Sequence, residues 1–135
     1  MLFNMKKSYP IYCCGCEKIV HAYLTNGMEI YPHRQDLANI PFWKCDICKN
    51  FVGCHYKTNN ITKPLGCIPT LEIKEYRVKI HDIIDPLWKG AENKKQARID
   101  IYNKISNFCG YSFHTAELKN ITEAEKIYTF CLNEF

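Results

Sequence analysis

The sequence has no internal repeat, no low-complexity tract and no long apolar run. No apolar stretch approaches the roughly 18 residues that a transmembrane helix requires, and no apolar segment of a secretory signal follows the first residues. The sequence also lacks a glycine-rich phosphate loop and a serine nucleophile elbow. These absences predict a cytoplasmic protein that does not span a membrane, and they imply no small-molecule cofactor.

Nine cysteines are the most informative part of the composition. An odd number does not fit a fully paired disulfide framework, and thiols in the cytoplasm stay reduced. A cytoplasmic chain with this many cysteines most often uses some of them to bind metal. Hydrophobic residues make up 47% of the 135 residues, which is enough to pack a core.

The composition changes near residue 69. Nine of the twelve glycines and prolines lie in residues 1–69, which carry eight basic and four acidic side chains, whereas residues 70–135 carry ten of each. The sequence therefore predicts a mildly basic, turn-rich zinc-ribbon half at 1–69 and a helical half at 70–135, together forming one cooperative domain. A mild positive charge permits phosphate contacts without requiring them.

Three amphipathic helices are predicted after residue 70, because apolar residues recur there at steps of three and four. The predicted ranges are 71–88, 94–108 and 122–135. Pro86 is expected to kink or end the first helix. Asn93 with Gln96, and Thr122 with Glu125, have the spacing of capping boxes that begin the second and third helices.

Short strands are predicted before residue 70, where aromatic and β-branched residues alternate with turn residues. The predicted strands are residues 8–12, 22–25, 28–31, 42–45 and 51–54. Asn26-Gly27 is a strong signal for a two-residue hairpin turn, so residues 28–31 are expected to be the return strand. The predicted fold class is α+β, with an N-terminal zinc ribbon packed on about three C-terminal helices.

Two Cys-x-x-Cys pairs predict a metal site. The four cysteines are Cys13, Cys16, Cys45 and Cys48. Each pair lets two sulfurs reach one ion, and two such turns complete the tetrahedral shell of a structural Zn²⁺. One Zn²⁺ per chain is expected, because the small turn-rich half does not hold a core unaided. Cys14, Cys54 and His55 lie close enough in sequence to be alternative ligands.

Several separated motifs agree in order with one known family. They are residues 29–34, 42–45, 52–55, 64–66, Arg77, His81 and 85–88. Together they resemble an uncharacterised bacterial and phage family known only as a zinc-finger-containing domain of unknown function. The resemblance extends from about Tyr12 to Asn133, and it implies zinc and a setting in phages or mobile elements. One departure is Phe113, where the family tends to have a cysteine before the histidine.

A second group of polar residues predicts a cleft. Arg77, His81 and Asp85 are spaced four residues apart and so share one face of the first helix. His33, Arg34 and His55 come from the zinc-ribbon half, and we expect the six to converge where ribbon and helices meet. The cleft could be a hydrogen-bonded structural joint, a phosphate-binding site or, least expected, a catalytic site.

These observations leave three function classes open. The first is a small zinc-binding protein that binds nucleic acid, as an accessory protein of a phage or mobile element. The second is a protein-binding inhibitor or adaptor that acts on a host enzyme. The third and weakest is a metal-dependent hydrolase, since no recognised nuclease spacing is present. Enzymatic activity is therefore not expected.

Overall fold

The computed structural model describes residues 7–135, and the chain divides into two compact units, Met1–Thr70 and Leu71–Phe135. The first residues, where no secretory signal is expected, lie outside the described part. Within that part, no helix is both long and apolar enough to cross a bilayer.

The first unit contains a four-stranded antiparallel sheet in the order β1-β2-β3-β4. The strands are β1 (Ser8–Cys13), β2 (Lys18–Asn26), β3 (Pro41–Lys44) and β4 (Phe51–Gly53). Ile11 lies opposite Val20, and Trp43 lies opposite both Leu24 and Val52. Because residues directly opposite one another share a face, this register places the apolar side chains of all four strands together.

That face of the sheet forms the core of the first unit. The core residues are Ile11, Cys13, Val20, Ala22, Trp43, Cys45, Val52, Cys54 and Ile68, all at most 6% exposed. The register thus brings two of the predicted metal ligands, Cys13 and Cys45, to the buried side of the sheet.

The predicted hairpin at Asn26-Gly27 is wrong. Residues Gly27–Ile30 form a short helix, α1, instead of a return strand, and the strand that pairs with β2 is β3. The side chain of Asn26 accepts a hydrogen bond from the backbone N–H of Met28 at 3.0 Å. An asparagine can cap a helix as well as form a turn, and the long-range pairing of β2 with β3 decides between the two.

The second unit contains three longer helices. They are α2 (Leu71–Lys89), α3 (Lys94–Cys109) and α4 (Ile121–Glu134). Helix α2 continues through Pro86 and ends three residues later. Asn93 caps α3 as predicted, by accepting from the Gln96 N–H, and Gly110 ends it with a φ of 85°, a left-handed conformation that glycine adopts readily.

The predicted cap of the last helix is wrong by two residues. Asn120, not Thr122, accepts a hydrogen bond, from the N–H of Glu123 at 2.8 Å. Both residues belong to types that cap helices, and the Asn120 cap gives the helix an earlier start at Ile121.

Apolar faces of the three helices and two residues of the α3–α4 connection form a second core. Its buried residues are Ile80, Ile84, Ile101, Ile105, Phe113, Leu118, Ala124, Ile127 and Cys131. The α+β class is therefore confirmed, with the sheet in the first unit and the helices in the second. The packing of one unit on the other stays a prediction.

Candidate metal centre

Four cysteine sulfurs meet at one point of the first unit. The Sγ atoms of Cys13, Cys16, Cys45 and Cys48 all lie within 4.8 Å of one another. The Cys13–Cys48 pair is 3.3 Å apart and the Cys16–Cys45 pair 3.7 Å. A Zn²⁺ ion bonded to four sulfurs at about 2.3 Å has neighbouring sulfurs about 3.8 Å apart. The donor set and its spacing therefore fit a tetrahedral four-thiolate zinc site.

The first pair of ligands lies at the turn between β1 and β2. Cys13 is the last residue of β1 and forms a parallel bridge with Ile68. Glu17, which follows Cys16, has a φ of 56°. This left-handed residue reverses the chain, so that β2 returns alongside β1 while both sulfurs lie in the four-sulfur cluster.

The second pair repeats that geometry between β3 and β4. The N–H of Lys49 donates to the Cys45 carbonyl at 2.9 Å, and the N–H of Cys45 donates to the Asn50 carbonyl at 2.8 Å. Lys49 has a φ of 69°, as Glu17 has 56° after the first pair. The two turns are thus alike, which is the arrangement of a zinc ribbon.

Gly15 and Asn50 complete the immediate surroundings of the sulfurs. The Asn50 side-chain nitrogen donates to the Cys48 Sγ at 3.3 Å. A Cβ atom on Gly15 would lie 2.8 Å from that same nitrogen and 3.2 Å from the Cys48 Sγ. A side chain at this position would therefore displace the Asn50 amide and crowd the Cys48 sulfur.

Burial and backbone N–H groups act in opposite directions on the thiols. Burial raises the pKa of Cys13 to about 12, against the effect of the Cys16 N–H. Burial would also raise the pKa of Cys45, but the N–H groups of Cys48 and Ile47 hold it below its usual value. A divalent cation deprotonates coordinating thiols outright, because its charge outweighs these effects.

The alternative ligands predicted from sequence lie elsewhere. The Cys14 Sγ is 3.8 Å from the Cys67 Sγ, and both residues are buried. Cys54 is buried in the core of the first unit, and His55 begins the loop after β4. In the part of the chain that the structure describes, the group that could hold a metal comprises the four Cys-x-x-Cys sulfurs.

Three of the predicted cleft residues belong to the first unit and have local partners there. The Arg34 guanidinium forms two hydrogen bonds with the carboxylate of Asp36, at 2.9 and 2.7 Å. His33 packs edge-on against Tyr31, with ring centroids 6.4 Å apart. The backbone N–H of His55 donates to the Lys63 carbonyl at 2.9 Å.

The other three belong to the second unit. His81 and Asp85 are brought together, with Nδ1 3.0 Å from one carboxylate oxygen, and Trp88 donates to the same oxygen at 3.0 Å. Burial would raise the pKa of Asp85, but these two partners lower it. Arg77 donates to the Leu118 carbonyl at 2.9 Å. The convergence of all six residues in one cleft stays a prediction.

The sequence did not predict the position of one carboxylate, which lies on the face of the sheet opposite the core. Glu29 in α1 accepts hydrogen bonds from Lys44 at 2.9 Å and Tyr23 at 3.1 Å, and also bonds with Thr25. These contacts, led by Lys44, lower the pKa of Glu29 to about 2. The sequence predicts a strand over residues 28–31, and a strand there is no reason to place Glu29 over this face.

Comparison with known families identifies the chain. A family model described as a zinc-finger-containing domain matches residues 9–125 of the 135. Comparison with curated proteins and with solved structures found no match. The matched residues include both Cys-x-x-Cys turns, whose four sulfurs meet at one point, and the chain belongs to this zinc-finger-containing domain family.

Proposed function

We propose that this zinc-binding domain binds nucleic acid, as an accessory protein of a phage or mobile element. The phage or mobile-element setting is supported by the family resemblance of the sequence motifs. The binding activity is supported by the distribution of charge in the first unit, and that observation carries the proposal.

Ion pairs neutralise most of the acidic side chains of the first unit. The pairs are Arg34 with Asp36 at 2.7 Å, Lys44 with Glu29 at 2.9 Å, and Lys49 with Asp46 at 3.1 Å. Four further lysines, Lys7, Lys18, Lys57 and Lys63, form no ion pair with any residue that the structure describes. The unpaired charge of this unit is therefore positive, which favours contact with phosphates.

Zinc supports this function by holding the fold. When bound, Zn²⁺ would link the β1–β2 turn to the β3–β4 turn and so fix the sheet, which contains Lys18 and anchors the segments that contain Lys7, Lys57 and Lys63. Four thiolates fill a tetrahedral shell, and the site offers no open position of the kind that a catalytic zinc needs. A structural ion is compatible with a binding surface elsewhere on the same unit.

Fluorescence anisotropy with the zinc-loaded full chain tests the proposal. The probes are a fluorescein-labelled 20-nucleotide DNA strand, an RNA of the same sequence and a 20-base-pair duplex. We expect at least one probe to bind, with an affinity that falls as salt rises, because displaced counterions return to the phosphates. The metal-chelated protein is the control, and it should lose binding. An absence of binding at 50 mM salt to all three probes would contradict the proposal.

A protein-binding adaptor or inhibitor is the second candidate function. Phe108 of α3 stacks on Phe130 of α4 at 4.3 Å and is 48% exposed. The two rings border a cavity of about 570 Å³ between α3 and α4. An exposed aromatic side chain beside a groove is typical of protein contacts, but charged side chains of Glu125, Lys126 and Glu134 share the lining. We therefore rank this function second.

A further inference from the structure

A small cavity lies in the first unit between the start of β1 and the loop of residues 55–63. Its volume is about 240 Å³. The lining residues are Lys7, Tyr9, Trp43, Asn60, Thr62, Lys63 and Pro64. Pockets for drug-sized ligands span roughly 300–1,000 Å³, so this one, called here the loop cavity, suits a smaller planar group such as one nucleobase.

The loop that borders the cavity has a defined shape. Its ends are joined by the hydrogen bond from the His55 N–H to the Lys63 carbonyl at 2.9 Å. Inside it, Thr58 Oγ1 donates to the His55 carbonyl at 2.7 Å and accepts from the N–H of Asn60 at 3.1 Å. The Trp43 indole N–H donates to the Thr62 carbonyl at 2.6 Å and ties the loop to the sheet. The cavity wall is therefore held by hydrogen bonds within the first unit.

An aromatic ring stands at the edge of the cavity. Tyr9 is 50% exposed, whereas Trp43 beside it is 2% exposed. Their ring centroids are 5.7 Å apart, with planes inclined by 40°. The buried indole lies beside the ring of Tyr9, and a half-exposed tyrosine can stack on a planar ligand.

The charge around the loop cavity is positive. Between Asp46 and Glu72 the sequence has no acidic residue. Lys7 and Lys63 line the cavity, and neither forms an ion pair within the described chain. Lys57, whose ammonium lies 5.6 Å from the Tyr56 ring centroid, extends the positive surface along the loop.

We propose that the loop cavity binds single-stranded nucleic acid, with one unpaired base on Tyr9 and the adjoining phosphates on Lys7 and Lys63. The inference rests on the proposed function and gives it a site and a substrate class. A duplex hides its base faces by stacking, whereas an unpaired strand presents them to an aromatic side chain. The combination of an exposed ring, two lysines and a base-sized cavity therefore favours a single strand over a duplex.

Variants of the zinc-loaded full chain test this site with the single-stranded 20-nucleotide DNA and the duplex as probes. Tyr9→Leu should weaken binding of the single strand about tenfold, the order expected for loss of one stacked base, and Tyr9→Phe should retain it. Lys63→Ala should remove one phosphate contact. The slope of the logarithm of the affinity against the logarithm of the salt concentration should therefore become shallower by about 1. Lys104→Ala is the matched control, since Lys104 is an exposed lysine of the second unit that pairs with Glu134 at 3.5 Å. It should change the affinity less than twofold.

The outcomes separate the site from the function. If the unaltered protein binds none of the probes, the proposed function fails and the site with it. If it binds, but Tyr9→Leu and Lys63→Ala behave like Lys104→Ala, the loop cavity is not the site, although the function stands. Equal affinity for the single strand and the duplex would also overturn the inference. Zinc content and circular dichroism of each variant verify that it is folded.

Discussion

The indole nitrogen of Trp43 lies 2.6 Å from the main-chain carbonyl oxygen of Thr62. Trp43 belongs to β3 and is 2% exposed, and Thr62 belongs to the loop after β4. A buried indole N–H needs an acceptor, because leaving it unpaired forfeits its hydration. Core packing and loop position in the first unit therefore depend on each other.

Replacing Trp43 with phenylalanine should separate these two contributions. The phenyl ring retains part of the apolar contact but leaves the Thr62 carbonyl without its donor. We expect the free energy of unfolding in urea to fall by roughly 1–3 kcal/mol, from the lost bond and the smaller ring. Tyr9→Phe, which changes a half-exposed neighbour, should alter it by less than about 0.5 kcal/mol. Equal stabilities of Trp43→Phe and the unaltered protein would contradict the role given to this bond.

Zinc should be bound at one ion per chain and should hold the first unit folded. Cys45→Ser removes a ligand, so elemental analysis should find little zinc, and the β-sheet signal in circular dichroism should decrease. Cys54→Ala is the matched control, because Cys54 is a buried cysteine of the same unit outside the metal group. It should retain the ion while losing some stability. Full zinc occupancy in Cys45→Ser would contradict the assignment of ligands.

Two buried thiols should resist alkylation in a pH-dependent way. Burial raises the pKa of Cys54 to about 11 and that of Cys131 to about 11. The thiolate is the reactive form, and its fraction at pH 8 is about one in a thousand for a pKa near 11. Modification by iodoacetamide should therefore be slow at pH 8 and should rise about tenfold per pH unit until the pKa is reached.

Mass spectrometry of the alkylated peptides measures this resistance. The same protein in guanidinium chloride is the control, since unfolding returns both thiols to ordinary pKa values near 8.5. Native protein that reacts as fast as unfolded protein at pH 8 would show that these side chains are not buried as described.

The metal centre could be predicted from sequence because its geometry is local. A Cys-x-x-Cys turn places two sulfurs together with no help from the rest of the chain, and Asn93 caps its helix by a contact three residues away. The short helix after Asn26 could not be predicted, because Asn-Gly is compatible with both a turn and a cap. The choice between a turn and a cap depends on the pairing of β2 with β3, whose paired residues lie 15 or more positions apart in the sequence. The loop cavity could not be predicted for the same reason. Its lining combines residues 7–9 with residues 60–64, which are far apart in the sequence.

The ion pair of Glu29 with Lys44 should contribute measurably to stability, unlike the ion pair of Asp46 with Lys49. The side chains of the first pair are 39% and 17% exposed, whereas Asp46 and Lys49 are 76% and 61% exposed. Bonds led by that from Lys44 lower the pKa of Glu29 from 4.5 to about 2. Because the folded pKa is the lower one, this stabilisation is fully present above pH 4.5 and is lost as pH falls toward 2.

A double-mutant cycle at pH 7 measures that contribution while zinc stays bound. Glu29→Gln, Lys44→Met and the double variant should give a coupling energy of about 0.5–1 kcal/mol in urea unfolding, a value reduced by solvent screening at the partly exposed carboxylate. The same cycle on Asp46 and Lys49 should give a value near zero, because water and salt screen two exposed charges. Repeating both cycles at pH 5.5 should leave the Glu29 coupling unchanged, since the carboxylate is ionised at either pH. Equal couplings for the two pairs would show that the position of Glu29 over the sheet adds nothing to an ordinary surface ion pair.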